Sequence, residues 1–202
     1  MRYPGCLYRV STRQRLIALT LDDGPDAVTT PLILGELQRA GARATFFLIA
    51  ARVQGQERVV QQLAESGHEI GNHLTRDAPS IRLSASAFAR DLEQAHRVLS
   101  AHGPVRWARP GAGWYSQTMI AIMARQHYRC ALGSVYPYDA AIPSVTWARW
   151  HILRNAGPGA IIVLHDGGAR GGRTLQVLRS VLPELQRRGF RVVTLSELAA
   201  AA

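Results

Sequence analysis

The stretch Leu16-Ile17-Ala18-Leu19-Thr20-Leu21-Asp22-Asp23-Gly24-Pro25 decides how the chain is read. It opens as an apolar run of strand length and stops at two adjacent carboxylates and a Gly-Pro turn. An apolar run of this length, bounded by turn residues, reads as a buried strand. Two neighbouring aspartates at a strand end do not both sit comfortably ionised, because a like charge raises a carboxylate pKa unless a cation or hydrogen bonds offset it. A divalent metal is one such cation, with one aspartate as its ligand and the other as a base beside it. A solvated turn is the competing reading, since Asp-Gly and Gly-Pro pairs form turns readily.

Working outward, the pattern of an apolar run followed by a turn repeats. Ala44 to Leu48, Glu69 to Gly71, Arg106 to Ala108, 128–133, Ala160 to Leu164 and 190–194 read as further strands, seven in all with 16–21. Helical periodicity falls between them. Thr29-Thr30-Pro31 marks one helix start, with a cap-type residue ahead of a proline, and Gly41 marks its stop. Helices follow over 55–66, 84–101, 116–126, 145–155, 174–188 and 196–201. In the third of these seven helices, Phe88, Leu92, Ala95 and Leu99 share one face. A turn-rich loop over 134–144 carries Asp139.

Regular strand–helix alternation implies βα units and a parallel sheet with helices outside. Continuous apolar strands imply burial on both faces. The polar groups fall at the C-terminal ends of strands: Asp22 and Asp23, His73 and Asp77, Arg109, Asp139, His165 and Asp166. In a closed α/β barrel that end holds the active site. In an open sheet it is the crevice beyond the strand ends. Either way the clusters converge, and this favours a site over a set of unrelated turns.

The 202 residues are expected to form one domain, 1–202, with 1–15 as an N-terminal arm lacking clear periodicity. The formal net charge is +10, and every one of the 24 basic residues is arginine. That excess reads either as base composition or as attraction to an anionic partner. The arginines are scattered rather than clustered, which argues against nucleic acid. Cys6 and Cys130 are not at a metal-type spacing, and whether they pair is open. No run reaches the length of a membrane span, and residues 1–5 lack the apolar core of a signal peptide. The chain as it stands therefore reads as cytoplasmic unless a signal has been removed.

His73 and Asp77 are four residues apart, so a helical turn after the short strand would aim both one way. With Asp23 they make one imidazole and two carboxylates. That mixed set suits zinc, with cobalt, nickel or manganese as alternatives.

Thr20-Leu21-Asp22-Asp23-Gly24-Pro25 resembles the first motif of the polysaccharide deacetylases, the NodB-homology domain of carbohydrate esterase family 4. Gly67-His68-Glu69-Ile70-Gly71-Asn72-His73 is similar to the approach to their second motif. Arg109-Pro110-Gly111-Ala112-Gly113 resembles the third, and Leu164-His165-Asp166 the fifth. The resemblance runs over about residues 8–198. It implies a distorted (β/α) barrel of about seven parallel strands and metal-dependent removal of acetyl groups from an N-acetylated glycan of chitin-oligomer or peptidoglycan type. Carried over residue by residue, it makes Asp22 the general base, Asp23 and His73 metal ligands, and Arg109 the group that orients Asp22. It gives the Ala112 backbone N–H to the oxyanion, His165 the role of general acid, and Leu164 the acetyl pocket. Asp139 lies where the family places a carboxylate that tunes the histidine, without the tryptophan usual beside it.

One position departs from the family. Its second motif usually supplies a histidine where this chain has Asp77. Either Asp77 is the third ligand, in a His-Asp-Asp site, or it faces solvent and the metal site is weakened. Trp114 and Tyr115 read either as a sugar-stacking wall or as core. Trp147 and Trp150, at i and i+3, read as helix packing. Arg170 and Arg173 read as part of a flexible Gly-rich loop or as contacts to an anionic polymer. His68, His96, His102, His127 and His151 read as surface or structural. Two rival functions stand beside glycan deacetylation: the same barrel acting on a non-sugar amide, and a catalytically silent glycan-binding barrel.

Overall fold

The computed structural model describes residues 5–202; the first four residues of the expected arm lie outside the described residues. Among the described residues there are eight strands: β1 (Cys6–Leu7), β2 (Leu16–Gly24), β3 (Thr45–Leu48), β4 (Glu69–Asn72), β5 (Val105–Ala108), β6 (Arg129–Ala131), β7 (Ile161–His165) and β8 (Arg191–Val193). The α-helices are α1 (Thr29–Arg39), α2 (Glu57–Glu65), α3 (Ala85–Leu99), α4 (Gln117–Arg125), α5 (Val145–Asn155), α6 (Gly168–Arg187) and α7 (Leu195–Ala199). The strands join one sheet in the order β1-β6-β5-β4-β3-β2-β7, and β8 pairs with the first half of β2. All of these pairs are parallel.

The sheet curls into a barrel. Past β6 the chain crosses to β7, where Val135 makes a parallel bridge to Ile162 and exchanges backbone hydrogen bonds with Ile161 and Val163. β2 is the central stave, buried along its whole length as its apolar run requires. Two core layers result. Ile17, Leu19 and Leu21 face the helices, whereas Ala18 packs with Phe47, Trp107 and Ile161 inside the curl.

Three expectations change. The arm is not featureless: Cys6–Leu7 adds an edge strand beside β6, and Cys6 and Cys130, register partners there, form a disulfide. Helix α1 is capped from further back than Thr29. The Asp26 carboxylate accepts from the backbone N–H groups of Val28 and Thr29, so the threonines already lie inside the first turn. Helix α6 begins at Gly168 rather than 174, so the Gly-rich segment is helix and not loop. Asp166 anchors that start. Its buried carboxylate accepts from Thr29 and Thr30 of α1 and from the Gly167 N–H, tying the end of β7 to α1.

Candidate active site

At the C-terminal ends of the strands lies a cavity of about 470 Å³ lined by Asp22, Asp23, His73, Arg109, Ala112 and His165, with apolar walls from Leu132 and Val163. Its volume is that of a small-ligand site.

Asp22 and Asp23 both reach this cavity because β2 is bulged. Asp22 pairs with Phe47 and Gly24 with Leu48, which leaves Asp23 as the extra residue. Asp23 has φ 72°, a left-handed conformation uncommon for a side chain larger than glycine. Successive residues of a regular strand point to opposite faces. The bulge cancels that alternation and aims two consecutive carboxylates one way.

Arg109 is buried and spends its guanidinium on Asp22. Nη1 donates to Asp22 Oδ1 at 2.5 Å and to Thr20 Oγ1 at 2.9 Å, while Nε and Nη2 donate to the carbonyls of Ala131 and Leu132. The guanidinium also stacks over the Phe47 ring, 4.1 Å from its centroid. Thr20 is two residues before Asp22 in β2, so strand period alone places it on the same face. The sequence reading passed over it.

His165 stands in register with Asp22 on the neighbouring strand. Its Nδ1–H donates to Asp139 Oδ1 at 2.9 Å, and its backbone N–H donates to Asp139 Oδ2 at 3.0 Å. This fixes the tautomer and leaves Nε2 to the cavity. Burial alone would lower the His165 pKa, but the carboxylates of Asp139, Asp22 and Asp23 outweigh it and raise it. The imidazole therefore keeps a proton to higher pH than a free histidine.

His73 donates Nδ1–H to the Arg109 carbonyl at 2.8 Å, so Nε2 faces Asp23 Oδ1 at 3.5 Å. Its pKa is also raised, the carboxylates of Asp22 and Asp23 overcoming the effect of burial. Burial pushes Asp23 up, yet His73, His165 and Arg170 hold its carboxyl at about 2.

Of the three residues expected to hold a metal, His73 and Asp23 stand side by side. Two donors at ~2.0–2.1 Å from one tetrahedral ion stand about 3.3 Å apart, close to the His73–Asp23 separation. Asp77 does not join them. The helical turn after β4 does not form; Leu74 takes φ 66° instead. The Asp77 side chain is half exposed at the cavity edge, 3.4 Å from Arg52. Among the described residues, no three His, Cys, Asp or Glu side chains gather around one point. The second oxygen of Asp23 is taken by Arg170, whose Nη1 donates to it at 2.8 Å from the first turn of α6.

Leu164 is corrected. It lies in the core between barrel and helices, because His165 faces the cavity and its strand neighbour must face away. Val163, two residues before His165, takes the wall instead. The aromatic pair after the third motif splits. Tyr115 lines the cavity, with its hydroxyl bonded to that of Tyr8, whereas Trp114 is 67% exposed and is not among the lining residues. Ala112 has φ 59° in a tight turn over 111–113. Gly111 is required there, since a Cβ would sit 2.2 Å from the Ala78 carbonyl oxygen. Tyr136 and Tyr8 also line the cavity and were missed. The run Val135-Tyr136-Pro137-Tyr138 beside Asp139 was the available signal for Tyr136.

The family model for polysaccharide deacetylase matches residues 9–131. A peptidoglycan-N-acetylglucosamine deacetylase of Bacillus cereus is 34% identical, over 95% of this chain and 91% of its own length. Among solved structures, a peptidoglycan N-acetylglucosamine deacetylase in complex with 4-naphthalen-1-yl-N-oxidanyl-benzamide superimposes with a TM-score of 0.90 at 26% identity, covering 98% and 94% of the two chains. A mutant CE4 family pseudoenzyme with restored enzymatic activity gives 0.88 at 25%, covering 98% and 72%. A family 4 acetyl xylan esterase from Clostridium thermocellum, in complex with a cobalt ion, gives 0.83 at 27%, covering 92% and 90%.

Proposed function

We propose that this chain, which belongs to the polysaccharide deacetylase family, removes acetyl groups from an N-acetylated glycan of peptidoglycan or chitin-oligomer type and releases acetate. The observation that carries the reading is the pair Asp22 and His165. They are register partners at the ends of adjacent strands, one held by Arg109 and the other by Asp139, on one cavity.

In this reading Asp22 takes a proton from the attacking water, and Arg109 keeps the carboxylate aimed at it. Water oxygen bonds to the acetyl carbon, and the Ala112 N–H helps hold the oxyanion. The C–N bond then breaks as His165 gives its Nε2 proton to the leaving amine, which leaves poorly unless protonated. The raised pKa of His165 suits a donor at neutral pH. Leu132 and Val163 take the acetyl methyl, and Tyr115 flanks the sugar.

Asp23 and His73 would hold a divalent ion, zinc first, with cobalt, nickel or manganese as alternatives. Bound there, it supplies a Lewis acid for the carbonyl and lowers the pKa of water. Asp77 is left to Arg52 in this account. The Cys6–Cys130 disulfide favours an oxidising compartment, where a cell-wall glycan is met.

Arg170 on Asp23 favours one rival, a barrel that binds glycan without turning it over. Acetate release from N-acetylglucosamine oligomers separates the readings, using metal-stripped protein with each ion added back. Release is expected with at least one ion, and Asp22→Asn is expected to lower kcat about 10²- to 10⁴-fold. Glycan binding without release under any ion selects the silent barrel. Release confined to small non-sugar acetamides selects the other amide.

A further inference from the structure

The aromatic surface does not end at the cavity. Tyr136, on the wall, stands edge-on to His165 with centroids 6.0 Å apart. From it a chain of ring contacts runs outward: to Tyr138 at 4.8 Å, on to His151 at 6.4 Å, then Trp147 at 5.8 Å and Trp150 at 5.1 Å. Tyr138 and Trp150 are each 53% exposed and Trp147 37%. Trp147 and Trp150 pack on each other, as their i, i+3 spacing suggests, and both also keep a face to solvent. Three large aromatics left together in solvent mark an interaction surface rather than scattered exposure.

This surface is built, not incidental. The Trp147 ring is fixed, because its Nε1–H donates to the Pro137 carbonyl at 2.9 Å. Tyr138 takes φ 59°, a left-handed conformation that costs an aromatic residue energy. The turn sends successive residues in opposite directions. Tyr138 stands out against His151, while Asp139 goes in to hold His165. One loop therefore supports the histidine and begins the outer surface.

We infer that Tyr138, Trp147 and Trp150 bind sugar residues of the glycan chain that flank the one whose acetyl group enters the cavity. The inference rests on the glycan reading above. A pyranose offers an apolar C–H face to a ring and hydroxyls to water at its edge. Tyrosine and tryptophan, with an apolar body and one polar tip, match both. A polymer threaded past His165 would meet this surface next, since the ring contacts are continuous with the cavity wall.

The test is calorimetric binding of N-acetylglucosamine dimer and hexamer to the non-hydrolysing Asp22→Asn protein, with and without Trp150→Ala. The hexamer should bind more tightly than the dimer to Asp22→Asn. Trp150→Ala should weaken the hexamer roughly five- to tenfold and leave the dimer unchanged, and Trp150→Phe should restore most of the loss. Equal hexamer affinity with and without Trp150→Ala overturns the inference while leaving the glycan reading intact. No binding of either oligomer overturns the glycan reading itself. If light scattering shows a dimer that Trp150→Ala converts to a monomer, the surface is an interface between copies, and the inference fails.

Discussion

Arg170 sets the balance of charge at the cavity. Asp23 is deeply ionised, and its two oxygens face two groups of different kinds: the His73 imidazole and the Arg170 guanidinium. A divalent ion at Asp23 and His73 must share that carboxylate with the guanidinium, and like charges a few ångströms apart repel by several kcal/mol even at an effective dielectric constant of about 20. The Arg170 side chain is 40% exposed, so solvent discounts the effect. Arg170→Ala should therefore tighten zinc or cobalt binding by about tenfold, as read by calorimetry on the stripped protein. An unchanged or weaker affinity would show that Arg170 swings clear at no cost, or that it orients Asp23 for the ion.

At the scale of elements, the junction of β3 and β4 carries an acid-sensitive hydrogen bond. The Ala44 N–H, just before β3, donates to His68 Nδ1 at 3.1 Å, so the imidazole must be neutral there. Burial, and secondly Arg43, push the His68 pKa down to about 4. In the unfolded chain it takes a proton near the ordinary 6.5; in the folded chain it resists until about 4. Its contribution to stability is therefore whole above about pH 6.5 and is lost as pH falls from there through 4. The full swing is on the order of 3 kcal/mol. His68→Gln keeps an acceptor without titrating, and urea midpoints measured from pH 7 to pH 4 should fall less steeply for it than for the parent. Parallel curves for the two proteins would remove His68 from the acid response.

At the scale of the molecule, the barrel is closed by short devices rather than by long strands. The bridge from Val135 to β7 closes one seam. β1 covers the free edge of β6, where the Cys6–Cys130 disulfide spans 124 residues of sequence. A crosslink over so long a loop restricts the unfolded chain strongly, and removing one from a small domain costs about 2–5 kcal/mol. Cys6→Ser with Cys130→Ser should lower the stability read from denaturant unfolding by that amount. A loss below about 1 kcal/mol would mean that backbone pairing alone secures the edge.

Much of this architecture was legible in the chain because it is local. Apolar runs ending in turns placed seven of the eight strands among the described residues, and the gathering of Asp22, Arg109, Asp139 and His165 follows from their all standing at the same end of parallel strands. Strand period also makes Thr20 and Val163 partners of Asp22 and His165, a reading the sequence permitted. What the sequence could not decide depends on contacts between distant segments. The two-residue strand β1 has no periodicity of its own and exists only against β6. The left-handed bulge that turns Asp23 beside Asp22 is set by register against β3, not by the residues themselves. Asp77 missed the imidazole because the turn after β4 is not helical and Arg52 lies within reach. Arg170 reached Asp23 because α6 begins six residues earlier than its apolar pattern implies, with Asp166 fastening that start to α1. Side-chain chemistry and period are written in sequence. Which charges finally face one another is a property of the closed barrel, where segments far apart in the chain become neighbours.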